Sequence, residues 1–151
     1  MKIAIGGDPN AFEMKKVLAT VCESLGHEIV DFGCDDTIYA NTAFRVADAV
    51  SSEKADRGVL VCGTGIGMSI AANKVKGAYA ALISDVYSAQ RARLSNNGNM
   101  LCMGARVIGS ELAKKILAEW LDTKYVPGTS SEPKVDEMRT IDKANVRLNN
   151  T

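Results

Sequence analysis

Histidine is almost absent from this chain: His27 is the only one in 151 residues, and Cys22, Cys34, Cys62 and Cys102 form no C-x-x-C pair. Neither a zinc-ligand set nor a disulfide framework is suggested, and reduced thiols in the cytosol fit best. Net charge is missing as well, since 18 Lys and Arg cancel 18 Asp and Glu with no basic cluster. Nucleic acid is thereby an unlikely partner, and a small ligand is the better expectation. No apolar run reaches membrane-spanning length, and the strand-like Lys2-Ile3-Ala4-Ile5 follows Met1 with no room for a secretory leader. The expectation is a soluble, cytoplasmic protein. What the chain does have is 46% hydrophobic residues, enough for one domain that buries roughly 70% of its unfolded surface without crosslinks.

Strand-like runs near Lys2 to Ile5, Glu28 to Phe32, Gly58 to Val61, Ala78 to Ile83 and Met100 to Met103 alternate with helical patterns. In the first helical pattern Met14, Val17, Leu18, Val21 and Leu25 recur at offsets of three and four, and Gly26 supplies a stop. Ala43, Val46, Ala47 and Val50 repeat the stripe, and so do Leu112, Ala113, Ile116, Leu117 and Trp120 within a helix over Ser110 to Asp122. Such alternation calls for a mainly parallel sheet with helices on both faces, an α/β fold whose ligands bind outside the carboxyl ends of the strands. From Pro127 the chain becomes turn-rich and then charged, with Val135, Met138, Ile141 and Val146 as sparse apolar anchors. Residues 1–126 are read as the α/β unit and 127–151 as a C-terminal arm of the same domain, laid over a neighbouring subunit; a frayed tail is the plainer alternative.

The segment Gly58 to Lys74 runs an apolar strand into a cysteine, a glycine-rich turn and a helix. Gly63, Gly65 and Gly67 let the backbone aim N–H groups into one small space at a helix N-terminus, where negative charge is favoured. Cys62 then stands where a thiol can lose a proton, and Thr64 where a hydroxyl can relay one. A buried structural thiol in a tight turn is the competing reading. The spacing Gly63-x-Gly65-x-Gly67 is not the G-x-G-x-x-G of dinucleotide binding, which disfavours a nucleotide module.

Five blocks in order, KIAIGGD, DFG at Asp31 to Gly33, ADRGVLVCGTGIGMSIAANKV, SDVYSAQRAR and GARVIG, resemble the family of ribose-5-phosphate isomerase B and galactose-6-phosphate isomerase. The likeness runs from Met1 to about Tyr125. It implies a Rossmann-like α/β/α sandwich with a five-stranded parallel sheet, ending here in a helical arm. It also implies a homodimer or homotetramer with active sites at the subunit interface, a small phosphorylated sugar as partner, and no metal or cofactor. The implied reaction exchanges an aldose phosphate and its ketose phosphate through an enediolate. Cys62 matches the base, Thr64 the proton shuttle, and Asn96 the asparagine that holds the enediolate with the amides of Gly63, Gly65, Ile66 and Gly67. Asp8 matches a binder of sugar hydroxyls and Arg106 a phosphate-binding arginine.

The departures bear on substrate. The resemblance implies histidines where this chain has Pro9 and Ser95, the second tied to opening a furanose ring, and further phosphate arginines where it has Thr129 and Lys134. A tetrose 4-phosphate has the ring-forming oxygen esterified and cannot close a furanose, and its phosphate lies nearer the reacting carbons. The stretches Tyr39-Ala40-Asn41, Leu94 to Asn97 and Ile141 to Asn145 also resemble the D-erythrulose-4-phosphate isomerase branch, whose substrate is therefore the leading expectation. Tyr39, Asn41 and Lys134 are further candidates for substrate contact, against plainer roles as a packed aromatic, a helix cap and a solvated lysine. Ribose 5-phosphate, a hexose phosphate, or a non-catalytic sugar-phosphate-binding subunit are the alternatives. His27 is read as a surface turn residue.

Overall fold

The computed structural model describes residues 1–148, with side chains described for residues 1–144, so Asn145 and Val146 of the sequence argument lie outside the described side chains. Five parallel strands, β1 (Lys2–Gly7), β2 (Glu28–Asp31), β3 (Arg57–Cys62), β4 (Ala80–Leu82) and β5 (Met100–Gly104), form one sheet in the order β2-β1-β3-β5-β4. Six α-helices accompany them: α1 (Phe12–Ser24), α2 (Tyr39–Ser51), α3 (Ile66–Ala72), α4 (Val86–Leu94), α5 (Ser110–Asp122) and α6 (Glu132–Leu148). This is a Rossmann-like α/β sandwich, with the order of strands reversing between β1 and β3. Ligands in such sheets bind in the crevice at that reversal, which here is flanked by the residues after Gly7 and after Cys62.

Alternation along the strands divides the core. Val59 and Val61 join Ile3, Ile5, Leu101 and Met103 against α1, α4 and α5. Leu60 and Cys62 join Ala4, Met100 and Cys102 against α2 and α3. Cys62 therefore points to the α2–α3 face at the end of a fully buried strand. No helix of the described residues is long and apolar enough to cross a membrane.

The helix stripes hold with two exceptions. Leu25, the residue that caps the end of α1, and Leu112, in the first turn of α5 beside the fully buried Ala113, are exposed. The strand expected over Ala78 to Ile83 shortens to Ala80–Leu82. On one flank Ala78 N–H bonds back to Val75 and Tyr79 N–H to the Asn99 side chain; on the other, Ile83 continues only by one bond to Cys102. Asn73 covers the outer edge of β4, donating to the Ala80 carbonyl at 2.9 Å and accepting from its N–H at 2.8 Å, which removes part of an open strand edge.

Two buried guanidiniums fasten the far end of α5. Arg57 donates to the Trp120 and Leu121 carbonyls at 2.6 and 3.1 Å, and Arg93 donates to the Gly98 carbonyl at 2.5 Å. Both reach Thr123 O, so positive charge meets the negative end of the helix. Burial and the neighbouring Arg93 bring the Arg57 guanidinium down to about 10. The arm is helical, and it returns to this same chain: Val135 is buried, and Asp142 accepts from the Tyr79 hydroxyl at 3.0 Å and the Gly77 N–H at 2.9 Å. Met138 and Ile141, expected as anchors, are exposed.

Candidate active site

The turn between β3 and α3 is built around Gly65, whose φ of +77° is a left-handed conformation. A β-carbon there would stand 2.6 Å from Leu82 Cδ1 and 2.8 Å from the Met103 carbonyl carbon, so only glycine fits. Closing this turn brings the Gly65 N–H to 3.0 Å from Cys62 Sγ, while Ile66 N–H donates to Thr64 Oγ1 at 3.3 Å. Among the described residues, the N–H groups of Gly63 and Thr64 have no protein acceptor. Two backbone donors therefore stand open beside the cysteine.

The loop after β5 is stitched onto this turn. Ala105 N–H donates to the Cys62 carbonyl at 2.8 Å and Arg106 N–H to the Gly63 carbonyl at 2.9 Å. Gly104 permits it, because a β-carbon at that position would meet Thr64 O at 2.6 Å. The Arg106 side chain then crosses Gly63, with its Cδ 3.6 Å from where a β-carbon of Gly63 would lie. Its guanidinium donates to Asn10 Oδ1 at 2.8 Å, and Asn10 in turn donates its backbone N–H to Asp8 Oδ1 at 3.0 Å. Asp8 is buried and caps the short 3-10 turn Pro9–Ala11. Three loops at the carboxyl ends of β1, β3 and β5 thus converge through Asp8, Asn10, Cys62 and Arg106.

Asn10 is the member that sequence reasoning missed. Only the folded chain shows that it receives Arg106. Tyr39, at the start of α2, lays its ring on α3, with its hydroxyl 2.5 Å from where a β-carbon of Gly67 would be. Asn41 instead turns away to donate to Asp36 Oδ2 at 3.1 Å. Its position is the local helix-start role rather than contact with the converging loops.

The four thiols differ in surroundings. Burial pushes the Cys22 thiol up to about 11 and raises that of Cys34, and burial together with nearby Cys62 raises that of Cys102. These three are small buried residues that stay protonated at neutral pH. At Cys62 the Gly65 N–H, from the glycine turn, is aimed at the sulfur.

Asn96 and Lys134 are not brought to this end of the sheet. Asn96 follows α4 and donates to the Arg91 carbonyl at 3.1 Å, four residues ahead of Met100 where β5 begins. Met100 pairs with Gly58 and Gly104 with Cys62, so the length of β3 separates Asn96 from Cys62, roughly 13 Å at about 3.3 Å per residue. Lys134, exposed in the first turn of α6, belongs to the same far end as Val135, which packs near Tyr79 and Asn96. His27 sits apart from all of these, its Nδ1 3.2 Å from the Met1 amino group.

A model of the ribose/galactose isomerase family matches residues 3–138. The chain is 46% identical over 142 residues to D-erythrulose-4-phosphate isomerase of Pectobacterium atrosepticum, covering 91% of this chain and 93% of that one. It is 47% identical over 148 residues to ribose-5-P isomerase B of Listeria innocua, covering 96% and 99%. The solved ribose-5-phosphate isomerase B of Clostridium thermocellum superposes with a TM-score of 0.90 at 38% identity, covering 96% of this chain and 99% of that one. With this fold, these loops and these likenesses in place, the chain belongs to the ribose/galactose isomerase family and is an aldose-ketose isomerase of sugar phosphates.

Proposed function

We propose that the substrate pair is D-erythrulose 4-phosphate and D-erythrose 4-phosphate. The observation that carries this reading is at Ser95, where a ring-opening histidine would otherwise be expected: a hydroxyl that accepts from the Arg91 guanidinium stands there, with no imidazole to protonate a ring oxygen. Pro9, at the other expected histidine, only opens the 3-10 turn capped by Asp8. A pentose 5-phosphate closes to a furanose and needs an acid at that place. A tetrose 4-phosphate does not.

In this reading Cys62, as thiolate, takes a proton from C1 of the ketose. The electron pair moves to the C2 oxygen, giving an enediolate, and the same thiol returns the proton to C2 to leave the aldose. Thr64 Oγ1 carries the accompanying proton between O1 and O2. The open N–H groups of Gly63 and Thr64 face the developing oxyanion. Asp8 takes sugar hydroxyls, and Arg106, steadied by Asn10, takes an anionic group. A positioned base and acid each contribute about 10²–10⁴-fold, and fixed donors at the oxyanion add a comparable factor. Asn96 completes the hole from a second copy of the chain, because within one copy it lies at the other end of β3. The exposed apolar side chains of Ile66, Ile70 and Leu82, which flank the Cys62 turn, suit that second copy as the covering surface.

The test is the rate of isomerisation of D-erythrulose 4-phosphate beside that of D-ribose 5-phosphate. A strong preference for the tetrose is expected, and a preference for the pentose overturns the reading. The ribose alternative has its own support in the 47% identity to the Listeria innocua protein, so the comparison has to be direct.

A further inference from the structure

A cavity of about 400 Å³ runs beside β4 and α4, and among the described residues Arg91 is the only charged one on its wall. Asn96, Ser88 and Tyr79 supply polar groups to the same wall, and Met138 of the arm closes one side. The neighbouring buried arginines, Arg57 and Arg93, spend their guanidiniums on backbone carbonyls. Arg91 does not. Its one side-chain bond is to Ser95 Oγ, and among the described residues no carboxylate lies within ion-pair distance of it. The Arg91 carbonyl meanwhile accepts from both Ser95 N–H and the Asn96 side chain, so Arg91, Ser95 and Asn96 form one rigid unit at the end of α4.

A half-buried guanidinium with most of its five donors unspent, facing a cavity with no negative charge, is built for an anion with several oxygens. We propose that Arg91, oriented by Ser95, is the phosphate-binding residue of the half-site that carries Asn96, and takes the place of the C-terminal arginines this chain lacks at Thr129 and Lys134. The choice of phosphate rests on the tetrose reading: the oxygen that would close a furanose, and would meet a group at position 95, is the one that bears the phosphoryl group in a tetrose 4-phosphate. Arg91 then sets specificity without touching the reacting carbons.

The experiment measures steady-state kinetics and inhibition by inorganic phosphate for the full chain and its Arg91→Gln and Arg91→Lys variants. The sugar phosphate that the unsubstituted protein turns over best is the substrate. Melting temperatures are recorded alongside. Arg91→Gln is expected to raise KM and the inhibition constant of phosphate about 10- to 100-fold, the size of a lost charge-assisted interaction, while kcat stays within about threefold. Arg91→Lys, which keeps charge without the fork, falls between. Inhibition by unphosphorylated D-erythrulose is expected to be unchanged. If KM and phosphate inhibition remain within about twofold of the parent, or kcat alone falls, or D-erythrulose weakens equally, the proposal is overturned. If the parent prefers the pentose, the tetrose reading fails, yet the shift in phosphate inhibition still decides whether Arg91 binds phosphate.

Discussion

The two ends of β3 carry opposite kinds of organisation. At the carboxyl end, Asp8, Asn10, Cys62, Gly63 and Arg106 are locked by backbone and side-chain bonds between loops that are 43 to 96 residues apart in the chain. At the amino end, Asn96, Ser95 and Arg91 are bonded to each other, and Arg91 and Asn96 line a cavity. The first cluster holds a candidate base, two open amide donors and a cation. The second holds an amide and a cation but no base. The contrast is that one copy carries two unlike halves, and the proposed function has the second half delivered from another copy.

Removing the base should have the largest effect on that contrast. Cys62→Ala is expected to lower kcat by at least about 10³-fold with an unchanged melting temperature, since the side chain is small and its hydrogen bond is one of many in the turn. Retention of most of the activity would transfer the role of base elsewhere. Gly65→Ala strikes the same cluster through its backbone. The left-handed φ and the contacts at Leu82 and Met103 should cost about 2–4 kcal/mol, read as a fall in the denaturant midpoint; a neutral result would mean that the turn relaxes without loss.

Smaller changes sharpen the comparison. Asn10→Ala frees the Arg106 guanidinium while leaving its charge, and should raise KM by roughly three- to tenfold with kcat little altered. An equal loss in kcat would place Asn10 in the chemistry rather than in positioning. Further from the site, Lys15 is buried and bonds Asp31 at 2.5 and 2.6 Å, fixing the end of β2 whose Gly33 carbonyl receives Gly7 N–H. Burial acts to raise the Asp31 carboxyl, but the hydrogen bonds from Lys15 and Gly33 and the Lys15 charge together hold it below 3.8. A depressed carboxylate contributes stability that is present above its unfolded pKa and is lost as pH falls through the folded one. Asp31→Asn is therefore expected to cost about 1–2 kcal/mol at neutral pH, discounted for the half-exposed carboxylate, and to cost nothing once the pH is well below 3.8. Chemical denaturation at both pH values checks the sign.

Much of this was legible in the residues. Periodicity located α5 at its observed bounds, and Gly26, with a φ of +82°, ends α1 as a helix stop should. The glycine spacing after β3 placed Cys62 and Thr64 at the edge of a sheet, because strand, cysteine and turn are consecutive. What was not legible depends on contacts distant in sequence. Nothing local to Arg106 says that Asn10 will receive it. Asn96 is the sharpest case, since its residue type suits the chemistry while strand register puts it at the wrong end for its own Cys62. The exposed Met138 and Ile141 arise in the same way: the arm docks through Val135 and Asp142 on Tyr79 and Gly77, which no apolar pattern discloses.

The division of labour between the two ends is tested most directly by mixing variants. Cys62→Ala and Asn96→Ala chains, each inactive alone, are unfolded together, refolded and assayed. If each site takes Cys62 from one copy and Asn96 from another across a two-fold axis, half of the assemblies are mixed and one of their two sites is intact. Activity should then return to about one quarter of the unsubstituted protein. No recovery, with mixed assemblies demonstrated by mass spectrometry, would mean that Cys62 and Asn96 do not meet across copies, and would contradict the account.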